Sequence, residues 1–332
     1  MWKKWLVALA LTPIVAVGFA YQAAAQQITV RLGFSDPPTT TWGQAMAEFK
    51  RIVEAESGRR IQVQLFPSSQ LGNIPEMIEN VRRGAHEMTL GSPGLFSRFY
   101  PRADMLEMPF LVTDWDQAQR MLQSQAFRDM LKAAEQQTQI MIIGNLPYGF
   151  RNVINSKRSI KTVDDFKGLK LRTQSSPAHL AAFRALGANP VALPIDETYQ
   201  AVRTGVVDGL ENANSMLLAA KYPEIAKYVS LTRHLFGMLF VYMNPKFYNG
   251  LSEGDRTLLT RALRAAEAHN LKLSLEAEKS SVEGFRKMGA VITEVSPEAL
   301  KAMRAAVQKV YDEFGQRFEP ELSALQKAAQ QQ

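Results

Sequence analysis

The 332-residue chain contains no cysteine and only four histidines. Without thiols there is no disulfide staple, no thiolate metal site and no cysteine nucleophile. His86, His179, His234 and His269 are scattered along the sequence. None belongs to an H-E-x-x-H pattern or has a carboxylate at metal-ligand spacing, so they read as core or surface residues. There is no G-x-S-x-G elbow, no Walker loop and no G-x-G-x-x-G opening a helix. Catalysis needs a positioned acid or base, and none is visible. Runs of like charge are also missing, which argues against a nucleic-acid tract. After the N-terminal segment, no apolar stretch is long enough to cross a bilayer. Neither a cofactor nor a metal is expected.

What is present begins with an address. Lys3 and Lys4 precede the apolar run "WLVALALTPIVAVGFA", and Ala23 and Ala25 form a small-x-small cleavage pattern. These are the parts of a secretory signal peptide, in order. The run contains Pro13 and falls short of the ~20 residues of a span. The sequence therefore predicts a leader over 1–25, cleaved near Ala25, and an exported mature chain. Losing the two leader lysines leaves 37 Lys+Arg against 32 Asp+Glu, a mild positive excess. Apolar residues make up 46% of the chain, enough for two cores of ~150 residues each.

Strand and helix patterns alternate. "ITVRLGFS" (28–35) alternates apolar and polar residues, and the next segment places Ala45, Phe49, Ile52 and Val53 at helical spacing before Gly58. "RIQVQLFP", "HEMTLGS" and "IMIIGNLP" read as further strands, and "PFLVTDWDQAQRMLQS" as a helix. A second α/β series follows: "LKLR", a helix opening at Pro177, "NPVALPI", another helix, and "VVDGLEN". "FGMLFVYMNPKFYNGL" has strong β character, and Glu253 to Lys287 keeps a helical pattern for over thirty residues. The expected fold class is α/β, with two lobes and mostly parallel sheets.

In open α/β sheets ligands lie beyond the carboxyl ends of strands. Polar residues recur at those ends: Ser35 and Asp36, Ser92, Tyr148 through Arg151, Arg172 with Gln174 and Ser175, and Glu211 with Asn212 and Asn214. Each alone is an ordinary turn former, cap or surface charge. Together they predict a common polar cleft.

"GLKLR" followed by "FRALGANPVALPIDETYQAVRTGVVDGLEN" resembles the core signature of solute receptors of tripartite ATP-independent periplasmic (TRAP) transporters. "LFPSSQLG", "FYPRADMLEMPFLVTD" and "YVSLTRH" match in the same order, so the resemblance spans nearly the whole mature chain. It implies a two-lobed periplasmic binding protein with chain crossovers and a long bracing helix at 253–287. Lobe I would take 26–150 with a returning segment near 232–255. Lobe II would take 151–231 with C-terminal segments near 285–332. It implies no enzyme, but a monomeric receptor for a small organic acid, working with the transporter's small and large membrane subunits and with no nucleic acid. Arg172 would grip the ligand carboxylate, Asn212 would contact ligand or orient Arg172, and Arg151 would meet ligand polar groups. Ser92, Leu95 and Ile195 replace a Glu, an Arg and an aromatic of sialic-acid receptors, which turns the expectation toward sugar acids or C4-dicarboxylates. The rival readings are a periplasmic enzyme acting on an acidic sugar and a receptor feeding a signalling protein.

Overall fold

The computed structural model describes residues 27–331, so the predicted leader lies outside the described residues. Among the described residues, no helix is long and apolar enough to cross a membrane. The first half of the chain runs β1 (Ile28–Gly33), α1 (Thr41–Glu56), β2 (Ile61–Phe66), α2 (Ile74–Arg83), β3 (Met88–Gly91), α3 (Pro93–Phe96), α4 (Trp115–Gln123), α5 (Gln125–Thr138) and β4 (Met141–Asn155). There follow β5 (Lys170–Thr173), α6 (Pro177–Ala185), β6 (Asn189–Ala192), α7 (Ile195–Arg203), β7 (Gly209–Ala213), α8 (Asn214–Ala219), β8 (Tyr228–Met243) and α9 (Pro245–Gly250). The chain ends with α10 (Glu253–Lys287), β9 (Val291–Glu294), α11 (Pro297–Ala306), α12 (Gln308–Phe318) and α13 (Glu321–Gln330).

The strands lie in the order β2-β1-β3-β8-β4-β7-β5-β6, with β9 beside β8. β1 pairs in parallel with β2 and β3, and β5 with β6 and β7. Two long antiparallel strands, β4 and β8, join these halves. The Met238–Met243 part of β8 and the Met141–Pro147 part of β4 serve the first half, while Arg151–Asn155 pairs with β7 in the second. The protein is thus a two-lobed α/β body whose lobes share strands. The sheet is mixed where the sequence suggested mostly parallel pairing. "IMIIGNLP" is only the first half of a 15-residue strand. Pro147 and Gly149 hid this continuation, because proline donates no ladder hydrogen bond. The strand passes them by shifting register between Pro147 and Gly149, with Gly149 at φ +95°.

Side-chain alternation along the crossing strands feeds two core layers. Phe240 and Tyr242 enter the layer covered by α2, α4, α5 and α6, while Leu239, Val241 and Met243 enter the layer under α1, α8 and α10. Helix starts follow their capping chemistry. Thr40 caps α1 through the Gly43 N–H (3.2 Å), and Asn73 and Glu76 form a reciprocal capping box on α2. The predicted helix over 109–124 begins only at Trp115, where Asp114 accepts from the Gln117 N–H (2.8 Å); Phe110 at φ +57° rules out an earlier start. Likewise the "FGMLFVYMNPKFYNGL" strand stops at Met243, and Pro245 opens α9 with Asn244 as its cap.

The 35-residue α10 lies against α1, β4, α8 and β9, and so touches both halves. Its apolar contacts (Leu258, Leu259, Ala262, Leu263) give way to buried polar ones near the middle. There the Asn270 amide donates to the Pro147 carbonyl (2.6 Å), satisfying an acceptor at the irregular point of β4.

Gly209 is where β7 meets β4 most tightly. A Cβ there would lie 2.1 Å from the Ile154 carbonyl oxygen, which is fixed in the ladder. Gly209→Ala is therefore expected to destabilise the protein by about 3 kcal/mol. Gly250→Ala, where a Cβ meets nothing within 4 Å, should leave the urea midpoint unchanged.

Candidate ligand-binding site

A small cavity lies between the halves. The strand-end rule brings Ser35 and Asp36 to it from β1, Ser92 from β3 and Gln174 from β5. Arg172 on β5, Asn212 on β7, and Tyr148 and Arg151 on β4 also line it. The last two sit inside a crossing strand rather than after one. Trp42, Ile74, Leu95, Ile195 and Leu239 complete the wall. Of these only Leu95 and Ile195 drew notice in the sequence, because apolar residues after a cap or in a strand look like ordinary core.

Three predicted residues lie elsewhere. Ser175 is exposed and faces an outer hollow that shares Arg172, Ile74, Leu95 and Ile195 with the inner cavity. Glu211 neighbours Asn212 on β7, and successive strand side chains point to opposite faces, so only Asn212 reaches the wall. Asn214 is buried, accepting from the Asn152 amide (3.0 Å).

The two buried arginines differ sharply. Arg151 Nε and Nη2 donate to the two Glu211 carboxylate oxygens at 2.6 and 2.7 Å, and Nη2 also reaches the Glu211 carbonyl (3.2 Å). Nη1 donates to the Tyr148 hydroxyl (2.6 Å). A guanidinium has five N–H groups, so at most one remains for the cavity. Arg172 is equally buried, at 3% exposure, yet makes only one hydrogen bond, from Nε to the Leu193 carbonyl (2.8 Å). Its two NH2 groups have no protein partner among the described residues, and no carboxylate lies within ion-pair distance. Burial pushes its pKa down to about 10, only partly offset by the more distant Glu211, Tyr222 and Asp36. It stays cationic at neutral pH.

Glu211 is the hub beneath the wall. Besides Arg151 it meets His234 Nε2 at 3.3 Å and His179 Nε2 at 3.5 Å. The two histidines that look unrelated in sequence therefore converge on one carboxylate. The three have the donor types of a cation site, but both carboxylate oxygens already pair with Arg151. Burial would raise the Glu211 pKa, but Arg151 and then His179 outweigh it and hold the carboxyl well below its usual range. The Gln174 amide nitrogen lies 3.3 Å from His179 Nδ1. The Gln174 carbonyl accepts from the Ser92 hydroxyl (2.6 Å), a direct bond between the two halves across the cleft.

Two α/β halves joined by shared strands, with a polar cavity between them at the strand ends, define a solute-binding protein of the two-lobed class. The chain belongs to bacterial extracellular solute-binding protein family 7 (DctP), whose model matches residues 32–317. It is similar to the 2,3-diketo-L-gulonate-binding periplasmic protein YiaO of Escherichia coli, 31% identical over 82% of this chain and 83% of that one. It also resembles the C4-dicarboxylate-binding periplasmic protein DctP of Rhodobacter capsulatus, 28% identical over 98% of each chain. Among solved structures, a TRAP periplasmic solute-binding protein from a Bordetella species, with density assigned to pantoate, superposes with a TM-score of 0.86. It is 31% identical, over 92% of this chain and all of that one. The TRAP-receptor resemblance read from the sequence is thereby shown.

Glu211→Ala should leave the Arg151 charge buried without its partner and cost about 3–5 kcal/mol in denaturant unfolding. Adding Arg151→Met should recover most of that loss. Because the Glu211 pKa is depressed, its contribution is complete above the ordinary carboxylate value of 4.5 and declines as pH falls below it. The double variant should accordingly lose less stability than the native protein on acidification.

Proposed function

We propose that this chain is exported and its leader removed, and that it then works as a periplasmic receptor for a TRAP transporter. It captures a small carboxylate-bearing organic acid, of the sugar-acid or C4-dicarboxylate class, and delivers it to the membrane subunits. Family membership supports the solute-binding role. Diketogulonate and C4-dicarboxylates, named for the two similar proteins above, support the chemical class.

The observation that carries the reading is Arg172. A largely buried guanidinium whose two NH2 groups face a cavity without a protein partner is best matched by an anion. A carboxylate meets it with two parallel charge-assisted hydrogen bonds. Asn212 supports the same role. Its amide oxygen is held by the Ala213 N–H (2.9 Å), which leaves its NH2 for the cavity. The Tyr148 hydroxyl accepts from Arg151 and has its own proton to donate. Arg151, Ser92 and Gln174 hold the wall, with one Arg151 N–H left over. Binding is the whole event in this reading, in keeping with the family's solute-binding role. A ligand that touches both halves stabilises the closed form by its differential affinity, and β4 and β8 are the strands about which closure would occur.

Arg172→Lys keeps the charge and removes the planar fork. Calorimetry with the acid found by a thermal-shift screen should show affinity reduced about 10–100-fold, the loss of roughly one charge-assisted bond. Near-native affinity in a folded Arg172→Lys protein would reject this role. Saturating ligand should also lower the radius of gyration in small-angle scattering, and an unchanged value would reject closure.

A further inference from the structure

The inner cavity is lined by three groups that can carry charge at neutral pH: Asp36, Arg151 and Arg172. The Arg151 charge is matched by Glu211 at 2.6 Å. That leaves Arg172 and Asp36, which form no ion pair with each other; burial pushes the Asp36 pKa up, while Arg172 and Arg151 favour its charged carboxylate. Asp36 is 7% exposed, and the Ser35 hydroxyl donates to its Oδ2 (3.0 Å). Trp42 adds a weak favourable contact from its indole N–H, which makes no hydrogen bond of regular geometry. Oδ1 accepts from no group among the described residues. In its charged form, which the nearby Arg172 and Arg151 favour, the Asp36 carboxylate only accepts hydrogen bonds, so a ligand beside it must bring a donor.

An unsubstituted dicarboxylate such as succinate cannot do this. Its second carboxylate is also an acceptor, and it would meet a like charge in a dehydrated cleft. The cation that could have offset this is occupied, since Arg151 has at most one N–H to offer. A monocarboxylic acid with hydroxyl groups fits instead. Its carboxylate takes the Arg172 fork and a hydroxyl donates to Asp36. Other hydroxyls meet the Asn212 NH2, the Tyr148 hydroxyl and the remaining Arg151 N–H. We infer that Asp36 is a specificity-determining residue that selects hydroxylated monocarboxylates, the sugar acids, over unsubstituted C4-dicarboxylates. This rests on the acid-receptor reading above and narrows its substrate class.

The test is calorimetry on the mature protein with three acids: succinate, erythronate (four carbons, three hydroxyls) and galactonate (six carbons, five hydroxyls). At least one hydroxylated acid should bind about 100-fold more tightly than succinate. Asp36→Asn removes the charge at constant shape, and should weaken the hydroxylated acid and strengthen succinate, each about 10-fold. Asp36→Ser should shift the ratio in the same direction, which guards against one variant failing to fold; the apo melting temperature reports folding. Succinate binding the native protein as tightly as both hydroxylated acids would overturn the inference, as would a ratio unmoved by both variants. If in that case Arg172→Lys still weakened binding about 10–100-fold, the acid-receptor reading would survive without this refinement. Failure of these three acids and of every other organic acid in the screen would remove both.

Discussion

A largely buried guanidinium with no carboxylate paired to it is the constraint around which this protein is arranged. Burying a charge is tolerated where a partner and hydrogen bonds compensate. Arg151 meets that condition in full: Glu211 takes two of its donor groups and Tyr148 a third. Arg172, a few residues away across the sheet, does not, and burial drags its pKa down accordingly. On the proposed reading, the contrast separates a structural arginine from a ligand-binding one. One ion pair keeps the wall rigid so that the other guanidinium can remain unsatisfied.

The fold makes that arrangement possible by sharing strands between lobes. β4 and β8 carry wall residues at the irregular stretch where they pass from one half to the other, and β5 and β7 deliver Arg172 and Asn212 from the second half alone. Groups from both halves face one small cavity, so on the proposed reading ligand capture and lobe closure are one event. The Ser92–Gln174 hydrogen bond crosses the same gap, and Gln174 continues through His179 to Glu211. The wall, the inter-lobe contact and the buried ion pair thus form one connected polar network, with few independent degrees of freedom.

Much of this was legible in the sequence, and for local reasons. Alternation in "ITVRLGFS", the helical spacing of Ala45, Phe49, Ile52 and Val53 and the uninterrupted helical run of α10 are each visible in local sequence. The strand-end rule gathered Ser35, Asp36, Ser92, Arg172 and Gln174 because a parallel α/β unit always presents that edge. What was not legible depends on pairing at long range. Pro147 and Gly149 look like the end of a strand until β8 supplies a partner on the other side. Glu211 and Asn212 look equivalent until the strand fixes which face is which. Ser175 looks like part of a polar cluster until its neighbour Ser176 turns in to cap α6, accepting from the His179 N–H. No spacing in the chain hints that His179 and His234, over fifty residues apart, approach one carboxylate.

The central claim is that Arg172 is unpaired because a ligand carboxylate is its partner. The measurement that addresses it most directly is a crystal structure of the mature protein with a bound organic acid. The account predicts both carboxylate oxygens at about 2.7–2.9 Å from Arg172 Nη1 and Nη2, with the Arg151–Glu211 pair unchanged. An acid whose carboxylate sits on Arg151 or on backbone amides, with Arg172 paired to a protein carboxylate instead, would contradict it.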